Sequence, residues 1–253
     1  MFQLFLSVGF LAAMLAVSEA GFRWARRSSA GMNAETKSSI QSAETAILGV
    51  LALLMGFTMA MSVSRFDTRR HLVLEEANAI GTSYLRAQLI PAPEGPELTR
   101  LIRSYVSSRL EYAKTLNVER IAAARRDTER LQQQIWAQAS SFVQKDVHSI
   151  PAGLLLQSLN ETFDLDAARW TALASHVPRS VTFLDAIIAM LAILFVGYGF
   201  GLAGARNVLS IFILSAAITA VLSVVVDLDQ PRQGLIQVSQ QPMLDLQQHL
   251  SGR

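Results

Sequence analysis

Residues 64–81 read SRFDTRRHLVLEEANAIG, and they follow the apolar run of residues 43–63 without a break. Three arginines and a histidine precede two adjacent glutamates, and no proline or glycine intervenes before Gly81. A helix needs roughly 20 apolar residues to cross about 30 Å of hydrocarbon, and AETAILGVLALLMGFTMAMSVS (43–64) supplies them. Nothing after it stops a helix. The second apolar segment is therefore expected to continue past the lipid as one helix, into protein or water.

Working outward, the chain has 253 residues, 51% of them hydrophobic and 17% charged. The apolar residues gather in four blocks, near residues 1–20, 43–64, 181–204 and 208–226, and nearly all the charge lies between the second and third. That is the layout of a membrane protein. The first block has no basic residues ahead of it, and Arg23, Arg26 and Arg27 follow it. A cleavable signal peptide has the opposite order, so this block is expected to be a retained membrane helix.

Residues 65–180 carry apolar stripes at helical spacing. Leu98, Leu101, Ile102, Tyr105, Val106 and Leu110 trace one, while Val118, Ile121, Leu131, Ile135 and Phe142 trace a second. Leu155, Leu159, Phe163 and Trp170 trace a third. PAPEGP (91–96) and Pro151–Gly153 mark expected breaks between these helices. No strand pattern is present. The fold expected is an all-α membrane protein: a first transmembrane pair (1–64), an extramembrane helical bundle (65–180), a second pair (181–226) and a polar tail (227–253). Met243, Leu244, Leu246 and Leu250 give that tail a short amphipathic helix suited to docking on the bundle.

Candidate functional residues follow from faces. Thr58, Ser62, Arg65 and Arg69 share one face of the second helix at three- and four-residue steps. Such arginines either concentrate anions at a pore mouth or anchor the helix at the headgroups, the commoner role. Ser215, Thr219 and Ser223 repeat every four residues in the fourth block, where they line a wet path or glue the helix to a neighbour. Small residues at Gly49 and Gly56, and at Gly197 and Gly201, mark faces built for close helix packing, within one chain or between chains. Asp185, near the start of the third block, reads as a cap or a partner of Arg179. Asp227 and Asp229 are weak candidates for a metal, since two carboxylates do not fill a calcium shell.

Other classes are poorly served. There is no cysteine, which excludes disulfides and thiolate metal sites. Net charge is +2 with no basic run, so nucleic acid is not an expected partner. No nucleotide-binding, zinc-protease or hydrolase motif occurs. His71 and Glu75 form a helical i, i+4 pair of the kind that is ordinarily a salt bridge. No catalytic residue and no cofactor is assigned.

Three segments carry a family resemblance: GFTMAMSVSRFDTRRHLVLEEANAIGTSYLRAQLIP, LNETFDLDAARWTALASHVP with the helix ending GYGFGLAG, and VVDLDQPRQGLIQVSQQPMLDL. Together they resemble the bestrophin-like domain family of bacterial membrane proteins, which is distantly similar to the bestrophin anion channels. Arg65, Phe66, Asp67 and Arg69 match the charged junction of bestrophins; Asp227, Asp229 and Pro231 match the acidic segment after their last membrane helix. The resemblance implies a homo-oligomer, a pentamer in bestrophins, that conducts small anions across the bacterial inner membrane with its bundle in the cytosol. The basic clusters alone leave orientation nearly balanced, at Arg23–Arg27 against Arg65–Arg70. An aromatic pore neck is not evident in the second block, which shows Leu53, Met55, Phe57 and Met59. A membrane-anchored scaffold without conduction is the competing reading.

Overall fold

A computed structural model describes residues 2–28, 32–115, 117–230 and 234–252. They form helices α1 (Phe2–Ser28), α2 (Ala34–Ala87), α3 (Glu94–Lys114), α4 (Val118–Lys145), α5 (Ile150–Ala174), α6 (Arg179–Ala203), α7 (Val208–Asp229) and α8 (Gln241–Leu250), and the described residues contain no strand. Among the described residues, four helical stretches are long and apolar enough to cross a membrane: Phe5–Ser28, Ala34–Ala87, Ile150–Ala203 and Val208–Asp229. The third of these is interrupted before Pro178, and its most apolar part is α6. The protein is an integral membrane protein with an all-helical fold. The expected continuity at the Ser64 junction is present, since α2 is a single helix of 54 residues.

The chain divides into two compact units. The first holds residues 1–65 and 176–230, with 234–236. In it Met14 of α1, Leu51 and Met55 of α2, Ala189, Ala192 and Ile193 of α6 and Ile218 of α7 share one buried cluster. Helices α1 and α6 pack with glycine between them. A Cβ on Gly197 would lie 2.1 Å from the Ser18 carbonyl oxygen, and one on Gly21 would lie 2.2 Å from that of Leu194. Such backbone proximity is what small residues in membrane helices permit. The α6–α7 turn is tight because Gly204 takes a left-handed φ of 72°, after which the Asn207 side chain accepts from the Ser210 N–H and caps α7.

The second unit holds residues 66–175 with 237–253. Its core joins Val73, Ile80 and Tyr84 of α2, Leu98, Ile102 and Tyr105 of α3, Ile135 of α4, Leu155 and Leu159 of α5, and Met243, Leu246 and Leu250 of α8. The expected break at Pro151–Gly153 is instead the first turn of α5. Ser149 is the N-cap, and Pro151 sits where a helix has no need of an N–H. The helical break lies just before, at residues 146–149; α3 ends at Lys114, and α4 starts after Asn117, whose side chain accepts from the N–H groups of Glu119 and Arg120.

Candidate functional site

Helix α2 has two unlike faces within the first unit. Leu51, Met55, Thr58 and Ser62 form a buried stripe, Thr58 being 2% and Ser62 0% exposed. The Thr58 hydroxyl donates back to the Leu54 carbonyl at 3.0 Å. The opposite face carries Ala46, Gly49, Leu53, Gly56, Phe57, Ala60 and Ser64, all exposed. Leu53 and Phe57 are 58% and 63% exposed, and a Cβ on Gly49 or Gly56 would meet nothing within 4 Å among the described residues. Thr58 and Ser62 are thus turned away from the open face: three and seven residues on from Met55, they belong to the packing stripe.

The two arginines of the junction differ. Arg65 is partly buried. Arg69 is 3% exposed and serves the second unit. Its Nε donates to the Ala172 carbonyl at 3.0 Å and its Nη2 to the Ser175 carbonyl at 2.6 Å. These are carbonyls of the last turn of α5, which lack intrahelical donors and carry the negative end of the helix dipole. A guanidinium committed there is a structural cap and leaves little to offer a passing ion.

The serine and threonine stripe of α7 also faces inward. Ser215 is 0% and Thr219 7% exposed. Thr219 donates to the Met14 sulfur at 3.6 Å, and Ser223 donates to the Thr219 carbonyl at 2.7 Å while sharing a 2.7 Å hydrogen bond with Ser7. Thr219 and Ser223 therefore meet α1, while the buried Ser215 hydroxyl has no hydrogen-bond partner among the described residues. Asp227 accepts from the N–H groups of Leu235 and Ile236, both at 2.8 Å. Asp229 accepts from the Val177 N–H at 2.9 Å and lies 3.2 Å from His176 Nδ1. Both carboxylates hold chain segments in place, and no group of three acidic, histidine or cysteine side chains among the described residues could hold a metal. Gly197 and Gly201 pack α6 on Ser18, Phe22 and Ala25 of α1. Asp185 is not a cap. It lies six residues into α6, is 0% exposed, and neither carboxylate oxygen meets a donor among the described residues.

The second unit holds a buried charge network that the sequence reading missed. Glu76 of α2, 0% exposed, accepts from Arg109 of α3 at 2.7 and 3.3 Å and from Arg169 of α5. Arg109 also pairs with Asp166 at 2.6 Å; Asp166 accepts from Gln132 of α4 at 2.9 Å, and Arg169 donates to Gln240 before α8 at 3.1 Å. Burial works against the charge on Arg109, but Glu76 and Asp166 overcome it and hold its pKa above the ordinary arginine value. Burial pushes the nearby Tyr105 phenol far above its usual range. The available signal was positional, because Glu76 falls on the apolar stripe of Val73 and Ile80. His71 and Glu75, by contrast, form an exposed 3.0 Å pair.

A Bestrophin-like domain family model matches residues 12–243. Among solved structures, the chain is similar to a bacterial bestrophin homologue from Klebsiella pneumoniae carrying a tryptophan-to-alanine mutation, with a TM-score of 0.75 at 14% identity, covering 99% of this chain and 98% of that one. A leucine-to-threonine mutant of a bacterial bestrophin homologue from Klebsiella pneumoniae gives 0.72 at 15% identity, with 100% of each chain covered. A further structure of such a homologue from Klebsiella pneumoniae gives 0.70 at 16%, covering 99% and 97%. At these identities the likeness is one of fold. A comparison with curated proteins gives no match.

Proposed function

The chain belongs to the bestrophin-like family, and from that membership we propose that it is a homo-oligomeric membrane channel for small anions. The observation that carries assembly is the open face of α2. A membrane helix with Ala46, Gly49, Gly56 and Ala60 on one side invites close approach, yet among the described residues a Cβ at Gly49 or Gly56 would meet nothing within 4 Å. A closed ring of copies around an axis supplies that approach, and a pentamer is the stoichiometry the resemblance implies. Leu53 and Phe57 then form an apolar girdle of the kind that gates by dewetting. Arg65, one turn beyond Ser62, supplies positive charge at the mouth. Thr58 and Ser62 support the pore helix from behind. A bacterial inner membrane and a cytosolic second unit are proposed from the same resemblance.

The test is the mass of the detergent-solubilised protein together with chloride efflux from liposomes. A ring-sized particle that conducts is expected, with Phe57→Ala raising flux severalfold and Arg65→Glu lowering chloride preference over potassium. A monomer that carries no flux overturns the reading. The scaffold alternative draws on exposed Leu85, Leu89, Ile150 and Leu154 in the second unit, brought close where Arg86 donates to the Leu154 carbonyl at 2.6 Å. Crosslinking that traps a different protein on this patch, with silent liposomes, favours it.

A further inference from the structure

Asp185 has no role in the proposed channel. A carboxylate at membrane depth is costly and is ordinarily found paired, and Asp185 is fully buried with neither oxygen meeting a donor among the described residues. What stands at its level in the first unit follows from helix register. Helices α1 and α6 run parallel, since Gly197 lies on Ser18 and Gly201 on Phe22; Asp185, twelve residues before Gly197, is level with Leu6 and Ser7 of α1. Ser7 is hydrogen-bonded to Ser223 of α7. Gly199 of α6 lies against the Glu44 side chain of α2, and the two helices run antiparallel. Fourteen residues back from Gly199 is Asp185, and fourteen on from Glu44 is Thr58. Packing agrees: Leu51 and Met55 share the core cluster with Ala189, Ala192 and Ile193, so Thr58 and Asp185 each continue a facing stripe by one turn.

The hydroxyls at this level are poor donors to a carboxylate. Thr58 commits its proton to the Leu54 carbonyl and Ser223 commits its own to the Thr219 carbonyl, which leaves oxygen lone pairs. Ser62, one turn beyond Thr58, is 0% exposed, and its oxygen likewise meets no partner among the described residues. One buried negative charge among hydroxyl lone pairs matches a hard cation carrying one positive charge. We propose that Asp185, with Thr58 and Ser223 at its level and Ser62 one turn beyond, forms a binding site for a small monovalent cation inside the membrane unit, of sodium size. The site sits behind α2, on the side away from its open face. A bound cation there ties α2 to α6 and α7.

The test is thermal unfolding of the full chain in detergent at fixed pH and ionic strength, titrating NaCl against choline chloride. The expected result is a midpoint that rises by several degrees with sodium, as ligand linkage requires, and no rise in Asp185→Asn, whose neutral amide keeps the shape. Thr58→Val, which removes one oxygen and little volume, is expected to raise the half-maximal sodium concentration severalfold. It carries the test if the Asp185 variant does not fold. The proposal is overturned by equal midpoints in both salts, by a sodium response that survives Asp185→Asn or is unmoved in Thr58→Val, or by a response to pH alone, which would mean that a proton satisfies the carboxylate.

Discussion

Replacing Glu76 with glutamine keeps the side chain's shape and removes its charge. In the native network two buried guanidiniums, Arg109 and Arg169, each 5% exposed, meet Glu76 at 0% and Asp166, so the cluster is neutral. The variant leaves two buried cations with one carboxylate. Removing one partner from a buried ion pair costs about 3–5 kcal/mol, because the remaining charge stays desolvated and uncompensated. For a chain of this size each kcal/mol moves the midpoint by about 2–4 °C, which gives an expected fall of about 6–20 °C. The assay is thermal unfolding of the detergent-solubilised protein, followed by the fluorescence of Trp136 and Trp170 in the same unit. Arg100→Ala, which breaks the exposed pair with Glu97, is the benchmark and should barely move the midpoint. Adding Arg169→Met to the Glu76 variant restores charge balance, so the double variant should lose less than the two single losses together. A Glu76→Gln midpoint within about 2 °C of the benchmark refutes the view that this network holds the unit together.

The remaining predictions concern one contact in each unit. Gly197→Ala sets a methyl 2.1 Å from the Ser18 carbonyl oxygen and 2.9 Å from its Cα, so α1 and α6 must separate, and a loss of about 1–3 kcal/mol is expected as a lower unfolding midpoint. Gly49→Ala, which meets nothing within 4 Å among the described residues, is the matched control in protein dispersed to single copies. The Lys145 ammonium, with a backbone hydrogen bond behind it, holds the Glu94 carboxyl below its ordinary value of 4.5. A depressed folded pKa gives stability that is present above the unfolded value and lost as pH falls through the folded one. Lys145→Met should therefore lower the midpoint at neutral pH, and the gap from the native chain should close as pH drops below about 4.5. A gap that stays constant through acid contradicts the assignment.

The four membrane helices, the long second helix and the three bundle stripes were legible because hydropathy and helical period depend on composition and spacing alone. The direction of each polar face was not. Thr58, Ser62 and Arg69 sit at regular steps, but period says only that residues share a side. It does not say whether that side meets water, lipid or a neighbouring helix. In a membrane the ambiguity deepens, since lipid and packed core are both apolar, so hydropathy cannot tell Met55 inside from Leu53 outside. The charge network was hidden for a related reason. Glu76, Arg109 and Arg169 lie far apart in sequence, and each one alone looks like a surface charge. Only their placement on apolar stripes separates them from exposed neighbours such as Glu75.

The open face of α2 presents a physical conflict that points beyond the single chain. Glycine in a helix is about 1 kcal/mol less favourable than alanine, and Gly49 and Gly56 have room for a methyl group on all sides. Among the described residues of one copy, nothing lies within 4 Å to offset that cost. At Gly197 and Gly201 the compensation is visible, because α1 backbone lies where a Cβ would be. If the same logic governs α2, whatever approaches its glycines belongs to another molecule, and lipid tails need no glycine to pack. A second copy of the helix does. Alanine at both positions should then leave the isolated chain as stable as before, or more so, while weakening the assembled ring. A stabilised chain whose assembly is unchanged in size and flux would remove the main structural support for α2 as the central helix.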